Sequence, residues 1–200
     1  MSHKIQQQRN QLRKTLRQQR KLLTHSEQEQ HAQALAQQLQ HNPLYKRSKR
    51  IAAYLPADGE IDPAYLIDIA WCSNKQVYLP VLAPFTSKLY FAPYQANCKM
   101  KFNRFKIAEP DVHPKHWLKA QQLDLILMPL VGFDTCGNRL GMGGGFYDRS
   151  LNFTWFRKVR YSPFLIGLAH QLQCVEQLPH QDHDVPMSMV ATEQELFTFK

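Results

Sequence analysis

Residues 123–151 read L-D-L-I-L-M-P-L-V-G-F-D-T-C-G-N-R-L-G-M-G-G-G-F-Y-D-R-S-L, and this stretch decides the fold. Positions 123–131 are nearly all apolar, the pattern of a strand buried on both faces of a parallel sheet. Turn residues follow (Gly132, Asp134, Gly137, Asn138), then Arg139 and four glycines within five positions, Gly141, Gly143, Gly144 and Gly145. Phe146, Tyr147 and Asp148 open a short helix. Strand, glycine loop and helix start together make an anion trap, because a bare backbone approaches a phosphate closely and aims its N–H groups at the oxygens. Arg139 adds a planar, permanently charged fork, and Asp148 could hold the magnesium that accompanies a nucleotide. The competing reading is a glycine turn without a ligand. It is disfavoured by the conformational freedom that four glycines lose on folding. The loop fits neither G-x-G-x-x-G nor the Walker pattern, so neither a Rossmann cofactor nor a P-loop NTPase follows.

Two hundred residues suffice for one domain that buries about 70% of its unfolded surface. Cys72, Cys98, Cys136 and Cys174 lie far apart, without a C-x-x-C pair or zinc spacing, and read as reduced thiols of a cytoplasmic protein. No apolar run reaches the ~20 residues of a membrane span, and the start of the chain lacks the apolar core of a signal peptide. The net charge of +9 is uneven: Lys4, Arg9, Arg13, Lys14, Arg17, Arg20 and Lys21 precede the first acid, Glu27. Such asymmetry invites an anionic partner.

Positions 2–23 predict a helix, with Ile5, Leu12, Leu16 and Leu23 as a narrow apolar stripe. Arg9, Arg13, Arg17 and Arg20 then form another face, either solvated or binding phosphates. The rest of the chain adds little net charge and carries no nucleic-acid motif, so no nucleic-acid partner is expected. Ser26-Glu27-Gln28-Glu29 reads as the capping box of a second helix, stopped by Asn42-Pro43. A short strand at 51–55 leads through Pro56-Ala57-Asp58-Gly59 to Glu60 and a helix ending at Cys72. Glu60 is thus either a ligand contact at the carboxyl end of a strand or an acid that stabilises a helix start. Strands are expected at 76–82, 88–94, 164–169 and 195–199, with Pro80 and Pro93 marking ends or edges. His180 and His183 lack metal-ligand spacing and read as loop histidines. The alternation predicts an α/β protein: a three-layer α/β/α sandwich with a mostly parallel, Rossmann-like sheet.

The decapeptide 139–148, R-L-G-M-G-G-G-F-Y-D, after a strand ending in G-F-D, resembles the signature of the 5-formyltetrahydrofolate cyclo-ligase (methenyltetrahydrofolate synthetase) family, roughly R-L-G-x-G-x-G-Y-Y-D. Met142 stands where that family usually has Arg, and Phe146 where it usually has Tyr. The resemblance implies a single domain over 1–200 of CoA-transferase-like fold, with the basic N-terminal helix packed on it. It further implies an enzyme that uses ATP to convert 5-formyltetrahydrofolate into 5,10-methenyltetrahydrofolate, with ADP and phosphate released, by phosphorylating the formyl oxygen.

The segment 9–13, R-N-Q-L-R, matches the family's ATP-contacting K-x-x-L-R, which makes Arg9 and Arg13 nucleotide contacts. Arg139, Leu140, Gly141, Met142, Gly143, Gly144, Gly145, Phe146 and Tyr147 are implied to bind ATP, with Arg139 and Tyr147 catalytic. Leu55, Glu60 and Phe105, with Met142, Gly143, Gly144, Gly145 and Phe146, are implied to bind the folate, polyglutamated or not. Asp148 and Asp184, the latter in H-D-V-P, are implied to hold Mg2+. The expected partners are small molecules only, with no membrane or nucleic acid, and the expected state is a cytoplasmic monomer. From the residues alone, an α/β enzyme acting on another phosphorylated or carbonyl substrate, or a basic nucleic-acid module, remains open.

Overall fold

A computed structural model of the chain describes residues 2–84, 86–155, 163–179, 181 and 184–199. In order these form α1 (Ser2–Lys21), α2 (His25–Leu39), α3 (Pro43–Arg47), β1 (Arg50–Ala52), α4 (Ala64–Cys72), β2 (Gln76–Leu82), β3 (Leu89–Tyr94), β4 (Met100–Phe102) and β5 (Ala108–Pro110). Next come β6 (Leu125–Pro129), β7 (Gly132–Asp134), β8 (Arg139–Leu140), α5 (Phe146–Leu151), β9 (Phe164–Leu168), β10 (Cys174–Val175), β11 (Met189–Ala191) and β12 (Leu196–Thr198). Short 3-10 turns lie between them, one of them at Gln171–Gln173.

The main sheet has the order β12-β11-β9-β6-β1-β2-β3. Its five inner strands run parallel, and β3 and β12 close the edges antiparallel. β6 sits at the centre for the reason its sequence gives. Successive residues of a strand point to opposite faces, and here both faces are covered. Leu125 and Leu127 pack against Leu35, Leu39, Tyr45 and Leu66 of the helical layer α2–α4. Ile126 and Met128 point the other way, among Phe133, Leu151 and Val185. The expected sandwich with a mostly parallel sheet is therefore present. Its second layer is assembled from short pieces: α5, 3-10 turns and the small sheet β10-β7-β8. Among the described residues, no helix is long and apolar enough to cross a membrane.

Two expectations need correction, and one hairpin is new. The capping box of α2 starts at Thr24, not Ser26: Thr24 Oγ1 accepts from the Glu27 amide at 3.2 Å, and Glu27 Oε2 accepts from the Thr24 amide at 2.7 Å. The stretch 100–110, for which the sequence carried no strand reading, is a hairpin of two three-residue strands, β4 and β5, too short to show a period of two. In α1 the arginines are not on a separate face. At about 100° per residue, Arg9 and Arg20 lie within about 40° of Leu16, and Arg9, Leu16 and Arg20 are all buried.

β1 leaves the sheet after Ala52, earlier than expected, and β2 lies on one side of it while β6 lies on the other. This is a switch point, and open α/β sheets hold ligands in the crevice beyond the carboxyl ends of the strands there. The loops after β1, β6 and β9 all open into that end of the sheet. As a check on the core, Ile166→Val at a fully buried position of β9 is expected to cost about 1 kcal/mol, lowering Tm by about 2–4 °C in a thermal melt.

Candidate active site

The glycine loop hangs from a rigid hairpin. Asp134, fully buried at the end of β7, accepts from the amides of Cys136 at 3.0 Å, Asn138 at 2.9 Å and Leu178 at 3.0 Å, and from the Asn138 side chain at 2.9 Å. Leu140 is fully buried in β8 and anchors the loop from its other side. Arg139, between them, donates from Nη2 to Asp148 Oδ1 at 2.6 Å, and its guanidinium carbon lies 5.8 Å from the Tyr147 ring centroid. Gly143 (φ +100°) and Gly145 (φ +62°) occupy the left-handed region that side chains disfavour, and Gly145 caps α5. Arg149 was missed in the sequence reading. It donates to the Gly144 carbonyl at 2.5 Å and lies over Phe146 at 5.2 Å.

Helix α1 lies along this loop. Arg13 Nε donates to the Gly141 carbonyl at 2.8 Å. Burial, with the neighbouring charge of Arg9, lowers the Arg13 pKa. Arg9 grips Asp184 with both terminal nitrogens, at 2.5 and 3.0 Å, and also bonds the Pro179 carbonyl at 2.8 Å. Farther along, Asp58 receives Arg17 at 2.6 Å, Lys21 at 2.7 Å and Arg20 at 3.2 Å. The Arg17 hydrogen bond leads in holding the Asp58 carboxyl well below its ordinary range. Arg20 further bonds the carbonyls of Asp58 at 2.9 Å and Leu130 at 3.2 Å. This hub was also missed; its signal was the acid at the turn of P-A-D-G-E, to be set against a helix rich in cations.

Glu60 accepts from the Ala57 amide at 3.2 Å, and burial pushes its carboxyl upward. Burial and then the Glu60 charge raise the Tyr147 phenol, and Tyr54 is raised by burial, Glu60 and Tyr147. These three groups thus share one poorly solvated neighbourhood. Phe105, at the tip of the β4–β5 hairpin, is 51% exposed and meets Phe146 edge-on at 5.8 Å. It is not a core aromatic. Met142 is exposed. Leu55 packs against the helical side of the core.

The arrangement suits a polyanion. Arg13 and Arg139 meet at the loop with Arg9 beside Arg13, and the buried Nε donors of Arg9 and Arg139 find no acceptor among the described residues. Asp148 and Asp184 come to the same place, since Asp148 Oδ1 also accepts from the Val185 amide at 3.3 Å. Both acids already carry an arginine. Their hard oxygens nonetheless fit magnesium. His180 and His183 lie outside the described residues.

A model of the 5-formyltetrahydrofolate cyclo-ligase family matches residues 5–193. The chain is 44% identical over 182 residues to the 5-formyltetrahydrofolate cyclo-ligase of Haemophilus influenzae, covering 90% of this chain and 95% of that protein. Against the Escherichia coli K12 protein of the same name it is 40% identical over 178 residues, with coverage of 88% and 96%. The solution structure of Aquifex aeolicus 5,10-methenyltetrahydrofolate synthetase superposes with a TM-score of 0.79 at 27% identity, covering 96% of this chain and 93% of that one. A Mycoplasma pneumoniae 5,10-methenyltetrahydrofolate synthetase, at TM-score 0.70 and 24% identity over 92% and 98%, shares the fold. Spanned by that family's pattern almost from end to end, and matching its relatives over nearly all of their own length, the chain belongs to the 5-formyltetrahydrofolate cyclo-ligase family.

Proposed function

We propose that the chain closes the ring of 5-formyltetrahydrofolate at the expense of ATP, giving 5,10-methenyltetrahydrofolate, ADP and phosphate, with the crevice around the glycine loop as its active site. The gathering of Arg13 and Arg139 at that loop, with Arg9 beside Arg13, carries this reading, because one helix and one hairpin supply cations to one place. We take residues 1–200 as one catalytic unit, acting as a cytoplasmic monomer on the free or polyglutamated folate.

The substrate explains the need for ATP. A formyl group on nitrogen is an amide, and its carbon is a poor electrophile. Transfer of the γ-phosphoryl to the formyl oxygen releases ADP and turns that oxygen into a leaving group. The neighbouring folate nitrogen then attacks the formyl carbon and loses its proton, and departure of phosphate leaves the methenyl bridge. No covalent bond to the protein is needed, so its work is positioning and charge stabilisation.

The backbone from Gly141 to Gly145 and the guanidinium groups of Arg9, Arg13 and Arg139 hold the triphosphate. Tyr147, kept protonated by burial, serves as a hydrogen-bond donor rather than a base. Glu60 orients the pterin ring, and Phe105, Phe146, Met142 and Leu55 form its apolar surround. Mg2+, held by Asp148 and Asp184, would neutralise phosphate charge when bound.

The direct test follows the ultraviolet absorbance of the methenyl product. The purified protein is expected to form it from 5-formyltetrahydrofolate only with ATP and magnesium together. Product formation without ATP, or none under any condition, would overturn the reading. For the folate side, Glu60→Gln is expected to raise KM for folate about tenfold, about 1.4 kcal/mol, with KM for ATP unchanged. Steady-state kinetics with each substrate varied would check this.

A further inference from the structure

We propose that His31, His170 and Glu193 form a binding site for a divalent transition-metal ion of the zinc class, distinct from the residues assigned to nucleotide and folate. The three come from separate elements: His31 from α2, His170 from the segment after β9, and Glu193 from the turn between β11 and β12. His31 Nδ1 lies 2.9 Å from His170 Nδ1 and 3.8 Å from Glu193 Oε1, and all three ligand atoms fall within 4.8 Å of one another. Tetrahedral zinc with bonds of about 2.0–2.1 Å needs donors about 3.3 Å apart. The two close spacings bracket that value, so small rotations of His31 and Glu193 complete the geometry.

The surroundings are those of a built site. His170 is fully buried, and its Nε2 lies 3.2 Å from the Gly59 carbonyl. A carbonyl only accepts, so Nε2 carries the hydrogen and the Nδ1 lone pair faces the cluster. A metal-binding histidine is typically oriented in this way, through its other ring nitrogen. Glu193 is braced likewise. Its Oε2 accepts from the Gln171 amide at 2.9 Å, which turns Oε1 toward His31, and its carbonyl is held by the Gln38 side chain at 2.9 Å.

Burial keeps the His170 imidazole neutral, with its pKa lowered to about 4, so protons compete weakly for the lone pair near neutrality. The nearby charge of Arg20 is answered by Asp58. Without an ion, His31 Nδ1–H donates to His170 Nδ1. On metal binding the His31 hydrogen moves to Nε2 through solvent, which partly reaches this side chain, and no net proton is released. Two imidazoles and one carboxylate favour Zn2+, Co2+ or Ni2+ over Mg2+, and the fourth position is left for water on the His31 side.

The test uses the full-length protein, stripped with a chelator and titrated with Co2+, then with Zn2+. One equivalent of Co2+ is expected to bring up the visible bands of a four-coordinate site. Zn2+ is expected to displace it, and excess Mg2+ is not. Zinc at a hundredfold excess over its Kd should raise Tm by about 5–10 °C. In His31→Ala and Glu193→Gln, each first shown to be folded by a melt without metal, affinity should fall at least tenfold while ring closure with Mg·ATP is unchanged. Absence of cobalt bands, or bands equally strong in both variants, would overturn the proposal, the second result assigning the metal to surface thiols or histidines.

Discussion

Arg139→Ala is expected to slow ring closure at saturating ATP and folate by about a hundredfold, or about 2.7 kcal/mol of barrier. Arg139 is one of the few charged side chains buried at the loop, and its orientation is fixed at both ends. Asp148 holds Nη2 at 2.6 Å, while the hairpin on Asp134 fixes its backbone. On the proposed reading, a charge preorganised in this way faces the moving phosphoryl without reorganising during the step, and the low polarity around it magnifies its effect. Arg139→Lys keeps the charge but loses the planar fork, so it should recover only part of the rate. The measurement is kcat from methenyl absorbance, with a thermal melt to show that each variant is folded. A change confined to KM for ATP would assign Arg139 to ground-state binding alone, and a rate within threefold of the parent would remove it from the chemistry.

Asp184→Ala is expected to be the most destabilising single change described here, by about 3–5 kcal/mol, with Tm lowered by about 10 °C. The cost does not lie mainly in the lost attraction. Arg9 is 6% exposed at its side chain and Asp184 10%, so truncating the acid leaves a desolvated guanidinium facing carbonyl and arginine. Replacing both partners, as in Arg9→Met with Asp184→Ala, should restore much of the stability, because no charge is then stranded. Neither protein should gain Tm from Mg·ATP as the parent does. Thermal and urea unfolding of the three variants measures the cycle, and a loss below about 1 kcal/mol for the single change would mean that water reaches Arg9.

The legible parts of this protein are those written in local pattern. The apolar run of β6, the glycines of the loop and the long basic helix could each be read within a window of a dozen residues. So could several positions that the fold brings close to the loop, among them Arg13, Arg139, Tyr147 and Asp148. What escaped is set by tertiary contact. The burial of Arg20 depends on Asp58 and the Leu130 carbonyl, and no propensity scale marks an arginine as core. Thr24 outcompetes Ser26 as the cap because its side chain reaches the Glu27 amide, a choice of two residues that composition does not resolve. The histidine pair of the second site is 139 positions apart, so no spacing rule could have joined it.

The Arg9–Asp184 pair spans 175 positions. A growing chain therefore presents its cationic helix first and releases the carboxylate that fastens it almost last. The middle of the sheet can assemble from nearer neighbours, whereas closing so long a loop is slow. The end of the molecule that carries the glycine loop is thus finished at the close of synthesis. A product cut short before position 184 would keep its glycine loop, yet would lack the anchor that brings α1 to it.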